Sequence, residues 1–302
     1  MEGRVIAGRY RLSRSLGGGS MGMVWLAEDR TLGTEVAIKI MSERVVRDRD
    51  ARARFDREAH VVAKLTSRHI VRVFDYGETD TGELFMVMEQ LVGESLRDRL
   101  RARKRLSIDE TARMLAQLCR AAHRAHEVGL VHRDLKPENI FLAREEEDEI
   151  VKVLDFGLAK ATDPLQNRGA DPTRAGALLG TPHYMSPEQA QGLKTIDHRS
   201  DLWTIGVVVF ECIAGRPFRA PSLMAIMEKV LVAPIPAPSE VAPDAKIPPE
   251  IDAWMKKALA RPPEDRYGSA RELAESFMMA AGVTMGRASL LSIPPPMSQR
   301  AG

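Results

Sequence analysis

The sequence predicts an α+β fold of two lobes, because strand-like and helix-like patterns occupy different parts of the chain. After about residue 93, segments with apolar residues at helical spacing dominate. Before it, runs rich in β-branched and aromatic residues, separated by glycine-containing turns, lie at 10–16, 23–29, 34–41, 69–77 and 84–91. We therefore expect a strand-rich N-lobe over about 10–92 and a larger helical C-lobe over about 93–281. An N-terminal extension at 1–9 and a proline-containing tail or linker at 282–302 would flank them.

One helix is predicted among the strands of the N-lobe, and the others fall in the C-lobe. Residues 49–65 carry apolar side chains at helical spacing, which favours an amphipathic helix. Ser107 and Glu110 form a capping-box pattern at the start of 107–129, and Gly129 is a typical helix end. Further helices are predicted at 199–214, 222–231, 250–260 and 269–281.

Composition and charge exclude several classes of function. Of the 302 residues, 44% are hydrophobic and 28% are charged, which is typical of a folded soluble protein. The net charge of +2 provides no basic field for nucleic acid or an anionic membrane. The longest apolar run, 202–215, is too short to span a bilayer and contains Glu211. Cys119 and Cys212 lie far apart in apolar runs, which favours buried thiols in a reducing, cytoplasmic compartment over zinc ligands or a disulfide.

The stretch "LGGGSMGMV" (16–24) contains a glycine pattern that suits a phosphate-binding loop. Gly17, Gly19 and Gly22 fit G-x-G-x-x-G, although a hairpin turn that merely tolerates glycine explains the bare motif equally well. A dinucleotide-binding motif would open a helix, whereas a strand-like run follows here. The loop is therefore expected to join two strands and to leave backbone N–H groups free to approach phosphate.

Lys39, in "VAIK" (36–39), stands inside an otherwise apolar strand. Burying an ammonium group is costly without a negative partner. One interpretation is that Lys39 extends to solvent from an edge strand. The functional alternative is that it contacts the phosphates of ATP and is held by a carboxylate on the following helix, where Glu58 is the candidate.

The stretch "HRDLKPEN" (132–139) gathers acid, base and amide groups between two apolar segments. Pro137 rules out a regular helix through it, so a loop can direct several side chains to one place. Asp134 could accept a proton from a hydroxyl group, and Lys136 could balance the charge of a transferred phosphate. Asn139 and Asp155, which ends a later strand, offer the hard oxygen ligands that Mg²⁺ prefers. Each residue alone could belong to a surface turn, but the set in this order indicates phosphoryl transfer.

Taken in order, these motifs resemble those of the protein kinase superfamily over roughly residues 10–280. The signatures are "GGGSMG", "VAIK" with Glu58, "HRDLKPEN", "DFG", "SPE" in place of A-P-E, and "DLWTIG". Lys136 and "GTPHYMSPEQA" (180–190) are similar to the Ser/Thr branch, in particular to the eukaryotic-like (Hanks-type) kinases of bacteria. The resemblance implies a bilobal protein kinase fold with ATP beneath the glycine-rich loop.

The resemblance also implies roles for individual residues. The catalytic residues would be Asp134, Lys136, Lys39 and Glu58, and the metal ligands for Mg²⁺, with Mn²⁺ as a substitute, would be Asn139 and Asp155. Adenine would meet a hinge of Glu89, Gln90 and Leu91 behind a gatekeeper, Met88. The full set expected around ATP is Leu16, Gly17, Gly18, Gly19, Ser20, Met21, Gly22, Met23, Val24, Ala37, Lys39, Met88, Glu89 and Leu91. Glu188 of "SPE" would pair with Arg266, and Ser186 in place of alanine affects no catalytic role.

Regulation by phosphorylation of the activation loop is a further expectation from the resemblance. Arg133 would meet a phosphate on this loop, where the hydroxyl candidates are Thr162, Thr173 and Thr181. Thr173 is the first choice because it has basic neighbours, although it could simply be a solvated loop residue. Thr181 is expected to form a hydrogen bond within the catalytic loop instead. The expected partners are ATP, protein substrates with Ser or Thr, and a second copy of the chain for autophosphorylation.

Two other functions are alternatives to an active protein kinase. A pseudokinase scaffold, which binds nucleotide without catalysis, would be indicated by loss of one of four residues, and all are present: Lys39, Asp134, Asn139 and Asp155. A small-molecule phosphotransferase can share the catalytic arrangement. It would not need the peptide-positioning segment "GTPHYMSPE". The sequence therefore favours a kinase that acts on proteins.

Overall fold

The computed structural model describes residues 1–19, 22–42, 49–156, 182–193, 195–218 and 220–283 and shows the two expected lobes. The described part of the N-lobe contains a six-stranded antiparallel sheet in the order β1-β2-β3-β4-β6-β5. These strands are β1 (Val5–Ile6), β2 (Tyr10–Gly19), β3 (Gly22–Asp29), β4 (Thr34–Met41), β5 (Val73–Glu78) and β6 (Leu84–Glu89). All five predicted strands are present, and β5 begins four residues later than its pattern because its first part is loop.

The alternation of side chains along β4 gives the sheet two different faces. Ile38 packs with Ile6 and Phe85 in a small core on one face. Ala37 and Lys39 lie on the opposite face, where Met41, Met86 and Met88 belong to a larger core that continues into the C-lobe. The second face therefore forms the roof of the space between the lobes.

Residues 1–9 are part of the sheet and do not form a separate extension. β1 pairs with β2, and Gly3 N donates to Leu12 O at 2.8 Å. Ile6 is 1% exposed, and Arg4 forms an ion pair with Glu83. A strand of two residues is too short to produce an alternating pattern, so sequence periodicity cannot reveal it.

The predicted N-lobe helix is confirmed as α1 (Arg49–Lys64). Phe55, Ala59 and Val62 are all buried, as their helical spacing requires. Phe55 also meets the Tyr76 ring edge-on at 6.4 Å between ring centroids. These contacts hold the helix against the sheet beside β5.

The C-lobe is built around a central helix whose residues 200–213 are all buried. A short antiparallel sheet, in the order β7-β8-β9, lies on the side of the C-lobe that contacts the N-lobe. Its strands are β7 (Gly93–Ser95), β8 (Ile140–Glu145) and β9 (Asp148–Val153). The described helices are α2 (Leu96–Arg103), α3 (Ile108–Glu127), α4 (Pro187–Ala190), α5 (Arg199–Ala214), α6 (Leu223–Leu231), α7 (Pro238–Val241), α8 (Pro249–Ala258) and α9 (Ala270–Ala280). In these ranges, no helix is long and apolar enough to cross a bilayer.

The capping box predicted at the start of α3 is confirmed. Ser107 Oγ accepts a hydrogen bond from Glu110 N at 3.2 Å, and Glu110 Oε2 accepts one from Ser107 N at 2.9 Å. Arg103 also donates to the Glu110 carboxylate, with 2.7 Å between Nη1 and Oε1. The hydrogen bond from Arg103, followed by the Ser107 amide, lowers the pKa of Glu110 to about 2.

Glu110→Gln is expected to reduce the free energy of unfolding by about 1 kcal/mol at pH 7, because the negative charge that pairs with Arg103 and receives the Ser107 amide is lost. The pKa in the folded state lies below its ordinary value, so the stabilisation is present above the ordinary value and is lost as the pH falls towards 2. Urea unfolding across this pH range measures the difference. Glu250→Gln, in the first turn of α8, is the matched control. If the difference in free energy of unfolding between wild type and Glu110→Gln stayed constant with pH, the charge of Glu110 would not be the source of the stabilisation.

Candidate active site

The glycine-rich loop joins two strands, as the sequence predicts. β2 and β3 remain paired up to Gly19 and Gly22, and the tip residues Ser20 and Met21 lie outside the described residues. At Gly22 the backbone has φ +146°, and a Cβ atom would lie 2.0 Å from Ile40 O of β4. The glycine at this position is therefore required by close approach of the hairpin to the next strand.

Gly22→Ala is expected to lower the free energy of unfolding by about 2 kcal/mol, because the hairpin must move away from β4 or adopt strained dihedral angles. Gly19→Ala is the matched control, since a Cβ atom there meets nothing within 4 Å. Urea unfolding of the two variants measures the difference. Equal stability of both variants would show that the approach to Ile40 does not constrain the loop.

The face of the sheet below this loop gathers four of the residues expected around ATP. Val24 pairs with Lys39 across β3 and β4, and Ala37 pairs with Met88 across β4 and β6. Directly paired residues of antiparallel strands share a face, so these four side chains form one surface. Ala37 and Met88 are each 7% exposed, which gives the surface an apolar back wall.

Lys39 is buried and forms an ion pair with the Asp155 carboxylate. The distance from Lys39 Nζ to Asp155 Oδ2 is 2.6 Å. The side chain of Glu58, the partner expected from the sequence, lies outside the described residues, although its backbone is in α1. Asp155 adopts the left-handed conformation with φ +55°, which costs about 1–2 kcal/mol for a residue with a side chain. Burial alone would raise the pKa of Asp155, but the nearby Lys39 ammonium holds it below its ordinary value.

Two residues of "HRDLKPEN" converge on the carboxylate of a third, Asp134. Lys136 Nζ lies 2.6 Å from Asp134 Oδ2, and Asn139 Nδ2 donates to the same oxygen at 3.2 Å. Asn139 Nδ2 also donates to the backbone oxygen of Asp134 at 2.8 Å. The predicted loop therefore closes on itself and fixes the orientation of the Asp134 carboxylate.

The two expected metal ligands are linked through the backbone. Leu154 N donates to Asn139 O at 2.9 Å, which places the residue before Asp155 beside Asn139. Both side-chain hydrogen bonds of Asn139 to described residues use Nδ2, so its amide oxygen is left as an acceptor. An amide oxygen and an ionised carboxylate fit Mg²⁺, which takes few protein ligands and completes its shell with phosphate oxygens and water.

Asp201, a buried aspartate, fixes the backbone of the catalytic loop (132–139) through hydrogen bonds. Asp201, 1% exposed in α5, accepts hydrogen bonds from His132 N and Arg133 N, both at 2.8 Å. Its Oδ2 also lies 2.8 Å from His126 Nε2. Arg133 O in turn accepts from Gln189 Nε2 at 2.7 Å. "DLWTIG" contains Asp201, so the motif was recognised, but the role of its aspartate depends on a contact between distant segments.

The expected hinge is held by its first residue. The Glu89 carboxylate accepts two hydrogen bonds from Lys152 Nζ, at 2.9 and 3.0 Å, and one from Arg72 N at 2.8 Å. Gln90 Nε2 donates to Leu91 O at 3.3 Å. The side chain of Glu89 is thus occupied by structural contacts, which leaves backbone groups of the hinge as the candidates for contact with adenine.

Four more of the predicted residues are described by the structure: Glu188, Arg266, Leu16 and Met23. Glu188 and Arg266 form the predicted pair, with 2.7 and 2.8 Å between guanidinium nitrogens and carboxylate oxygens. Leu16 and Met23, beside the glycine-rich loop, are 40% and 43% exposed. Thr162, Thr173 and Thr181 lie outside the described residues.

Comparison with known proteins identifies the family of this chain. A family model described as the protein kinase domain matches residues 10–278. Serine/threonine-protein kinase pkn3 of Myxococcus xanthus is 39% identical over 89% of this chain, and serine/threonine-protein kinase PknB of Mycolicibacterium smegmatis is 38% identical over 89%. The solved kinase domain of PknI from Mycobacterium tuberculosis is 29% identical, with a TM-score of 0.74, and the match covers 93% of this chain and 99% of that chain.

The match to these relatives concerns one part of each. The chain spans 49% of the length of pkn3 and 42% of that of PknB, whereas it covers nearly the whole solved domain of PknI. The predicted bilobal fold is confirmed by that solved domain and by the family match. This chain belongs to the protein kinase domain family.

Proposed function

We propose that this domain is a Ser/Thr protein kinase that transfers the γ-phosphoryl group of ATP to hydroxyl groups of proteins. The observation that carries the proposal is the convergence of Lys136 and Asn139 on the Asp134 carboxylate, next to the ion pair of Lys39 and Asp155. Relatives at 38–39% identity are named Ser/Thr protein kinases, which supports Ser and Thr as acceptors.

Each residue of the site would have a separate role in phosphoryl transfer. Asp134 would accept the hydrogen bond and then the proton of the substrate hydroxyl. Lys136, already beside that carboxylate, would balance the negative charge of the phosphoryl group. Lys39 would contact the other phosphates. Asn139 and Asp155 would hold Mg²⁺, which supplies neutralisation of phosphate charge when bound.

The setting of the reaction follows from the same chemistry. A cytoplasmic location is part of the proposal, because ATP is consumed and both cysteines are free, buried thiols. Burial raises the pKa of the Cys119 and Cys212 thiols, so neither is a reactive nucleophile. The residues described here give no reason to place a redox step in this mechanism.

Phosphoryl transfer by the purified chain tests the proposal. The chain is incubated with ATP and Mg²⁺ or Mn²⁺, with a basic protein that contains Ser, Thr and Tyr as the acceptor. Peptide mapping by mass spectrometry identifies the modified residues, and chelation of the metal is the control. Phosphate on Ser and Thr that disappears with the chelator supports the proposal. ATP binding without any transfer would favour the pseudokinase scaffold, and transfer to Tyr alone would contradict Ser/Thr specificity.

We also propose that phosphorylation of Thr173 activates the domain through Arg133. The backbone of Arg133 is fixed on both sides by Asp201 and Gln189, and its conformation is left-handed, with φ +65°. Its Nε atom is buried and has no hydrogen-bond partner among the described residues. A partly exposed guanidinium with an unused donor is suited to bind a phosphate.

Thr173→Ala is expected to lower the rate of transfer to a protein substrate by about tenfold, since a hydrogen bond to a charged group contributes about 1.5 kcal/mol. Thr162→Ala is the matched control in the same segment. Peptide mapping of the wild type should find phosphate on Thr173. Unchanged activity together with an unmodified Thr173 would exclude this mechanism. The resemblance supports a homodimer for the autophosphorylation step, so its rate per molecule should rise with protein concentration.

A further inference from the structure

A basic cavity of about 540 Å³ lies beside the catalytic loop, between α2, the segment 182–184 and the end of α5. Its walls include four cationic side chains and one carboxylate. The cations are Arg97, Arg101, Lys104 and Arg216, and the carboxylate is Glu211. The four cations outnumber the three carboxylates that pair with them, Glu211, Glu138 and Asp98, so the cavity keeps a positive charge.

The cavity is connected to the residues that handle the protein substrate. His183, in its wall, belongs to the peptide-positioning segment "GTPHYMSPE". Arg97 donates from Nε to Glu138 Oε1 at 2.8 Å, and Glu138 stands four positions after Asp134 in the catalytic loop. A substrate chain whose hydroxyl group reaches Asp134 thus has its neighbouring side chains close to this cavity.

Glu211 is already neutralised by the cavity's own side chains. Arg97 Nη1 and Arg216 Nε donate to Glu211 Oε1 at 2.8 and 2.9 Å. Tyr184 donates its hydroxyl group to the other oxygen. A basic side chain of a substrate would therefore meet two guanidinium groups here and no free carboxylate, which is unfavourable.

Two polar groups in the wall have no side-chain partner among the described residues. Lys104 makes no salt bridge or side-chain hydrogen bond with any described residue and holds a left-handed backbone with φ +65° at the end of α2. A position of this kind usually favours glycine, so the lysine is kept at a conformational cost. A cation there also interacts favourably with the helix C-terminus, which explains its charge but not its lack of an acidic partner. His183 Nδ1 is buried, and the described residues provide no hydrogen-bond partner for it.

We propose that this cavity binds an anionic side chain of the protein substrate, a carboxylate or a phosphate, close to the Ser or Thr that is phosphorylated. The proposal rests on the protein kinase function proposed above and adds the substrate class of the same site. Lys104 supplies the unpaired charge, Arg216 offers the guanidinium nitrogens that Glu211 does not use, and His183 offers a donor from Nδ1 in the matching tautomer.

A peptide series that varies one position at a time around the acceptor hydroxyl tests the proposal. Each position carries Glu, phosphoserine, Ala or Lys in turn, and kcat/KM is measured for the wild-type chain. At one position, Glu or phosphoserine is expected to exceed Ala by about tenfold and Lys by more, as one ion pair in a partly screened site implies. The Glu and phosphoserine peptides distinguish the two sources of negative charge.

Variants of Lys104 assign this preference to the cavity. Lys104→Glu should lower the ratio of kcat/KM for the Glu peptide over the Ala peptide by about tenfold, because attraction is replaced by repulsion. Lys104→Gly should also lower the ratio, and it should fold at least as well because glycine suits φ +65°. Lys256→Glu, exposed on α8, is the matched control and should keep the wild-type ratio.

The outcomes separate this proposal from the one on which it rests. Transfer to no peptide at all would overturn the kinase function itself. Transfer without an acidic preference at any position would overturn only the anionic cavity. An acidic preference that persists in both Lys104 variants would also overturn it, because the negative charge would then be bound elsewhere.

Discussion

Asp134→Asn is expected to lower the rate of phosphoryl transfer by about 10³-fold, within the range that a positioned general base contributes. The substitution keeps the size of the side chain, but an amide cannot take the proton of the substrate hydroxyl. It also removes the negative partner of Lys136, whose Nζ atom lies 2.6 Å from the carboxylate. Phosphate incorporation, followed by intact-mass measurement with Mg·ATP, gives the comparison with the wild type.

Binding and stability measurements separate this effect from misfolding. Asp134→Asn should still bind ATP, because the face formed by Val24, Ala37, Lys39 and Met88 is unchanged. Asp80→Asn, an exposed aspartate in the turn between β5 and β6, is the matched control and should transfer phosphate at the wild-type rate. An Asp134→Asn variant that binds ATP and transfers phosphate within about threefold of the wild type would exclude Asp134 as the base.

The sequence could predict these residues because each belongs to a short segment whose local chemistry is unusual. A lysine in an apolar strand, and a proline that keeps acid and amide groups on one loop, are visible without any knowledge of the fold. The structure brings Asp134, Lys136 and Asn139 together as expected, since they are separated by only a few residues. The helices with strong apolar periodicity were also predicted close to their observed bounds, and α5 has the same bounds as its prediction.

Contacts between distant segments could not be predicted in the same way. Lys39 and Asp155 are 116 positions apart, and Asp201 is 69 positions from His132. Such distances are set by the packing of whole elements, which no local pattern encodes. α2 was missed for a different reason: its sequence "LRDRLRAR" buries only Leu96, Arg97 and Leu100, so it lacks a continuous apolar stripe. Arg97 can be buried in this helix because it forms ion pairs with Glu138 and Glu211, which belong to other segments.

Arg266→Met is expected to lower the free energy of unfolding of the C-lobe by about 3–5 kcal/mol, because it leaves the Glu188 carboxylate buried without its partner. The Arg266 side chain is 0% exposed and pairs with both oxygens of Glu188. It also donates to three backbone oxygens at 2.7 to 2.9 Å, those of Ala260, Arg199 and Arg261. Methionine can fill the space but cannot donate to any of these groups.

Urea unfolding at neutral pH measures the loss. Arg124→Met is the matched control, because Arg124 is 51% exposed and its pair with Glu127 lies on the surface of α3. That variant should lose less than about 1 kcal/mol, which is typical of an exposed ion pair. If both variants lost a similar free energy of unfolding, the buried Arg266–Glu188 pair would contribute no more to stability than an exposed ion pair.

The double variant Glu188→Met with Arg266→Met shows how much of the stability loss comes from the unpaired Glu188 carboxylate and how much from the lost hydrogen bonds to backbone oxygens. Removing both charges eliminates the unpaired carboxylate, so the double variant should be more stable than Arg266→Met alone by about 1–3 kcal/mol. The loss that remains then measures the three carbonyl groups left without a donor. Glu188 is the last residue of the peptide-positioning segment, which joins α5 through hydrogen bonds of Ser186 to Ser200 and of Thr204 to Tyr184 O. A double variant that recovers stability but still transfers phosphate slowly to proteins would show that the buried pair serves to position the substrate segment and contributes little net stability.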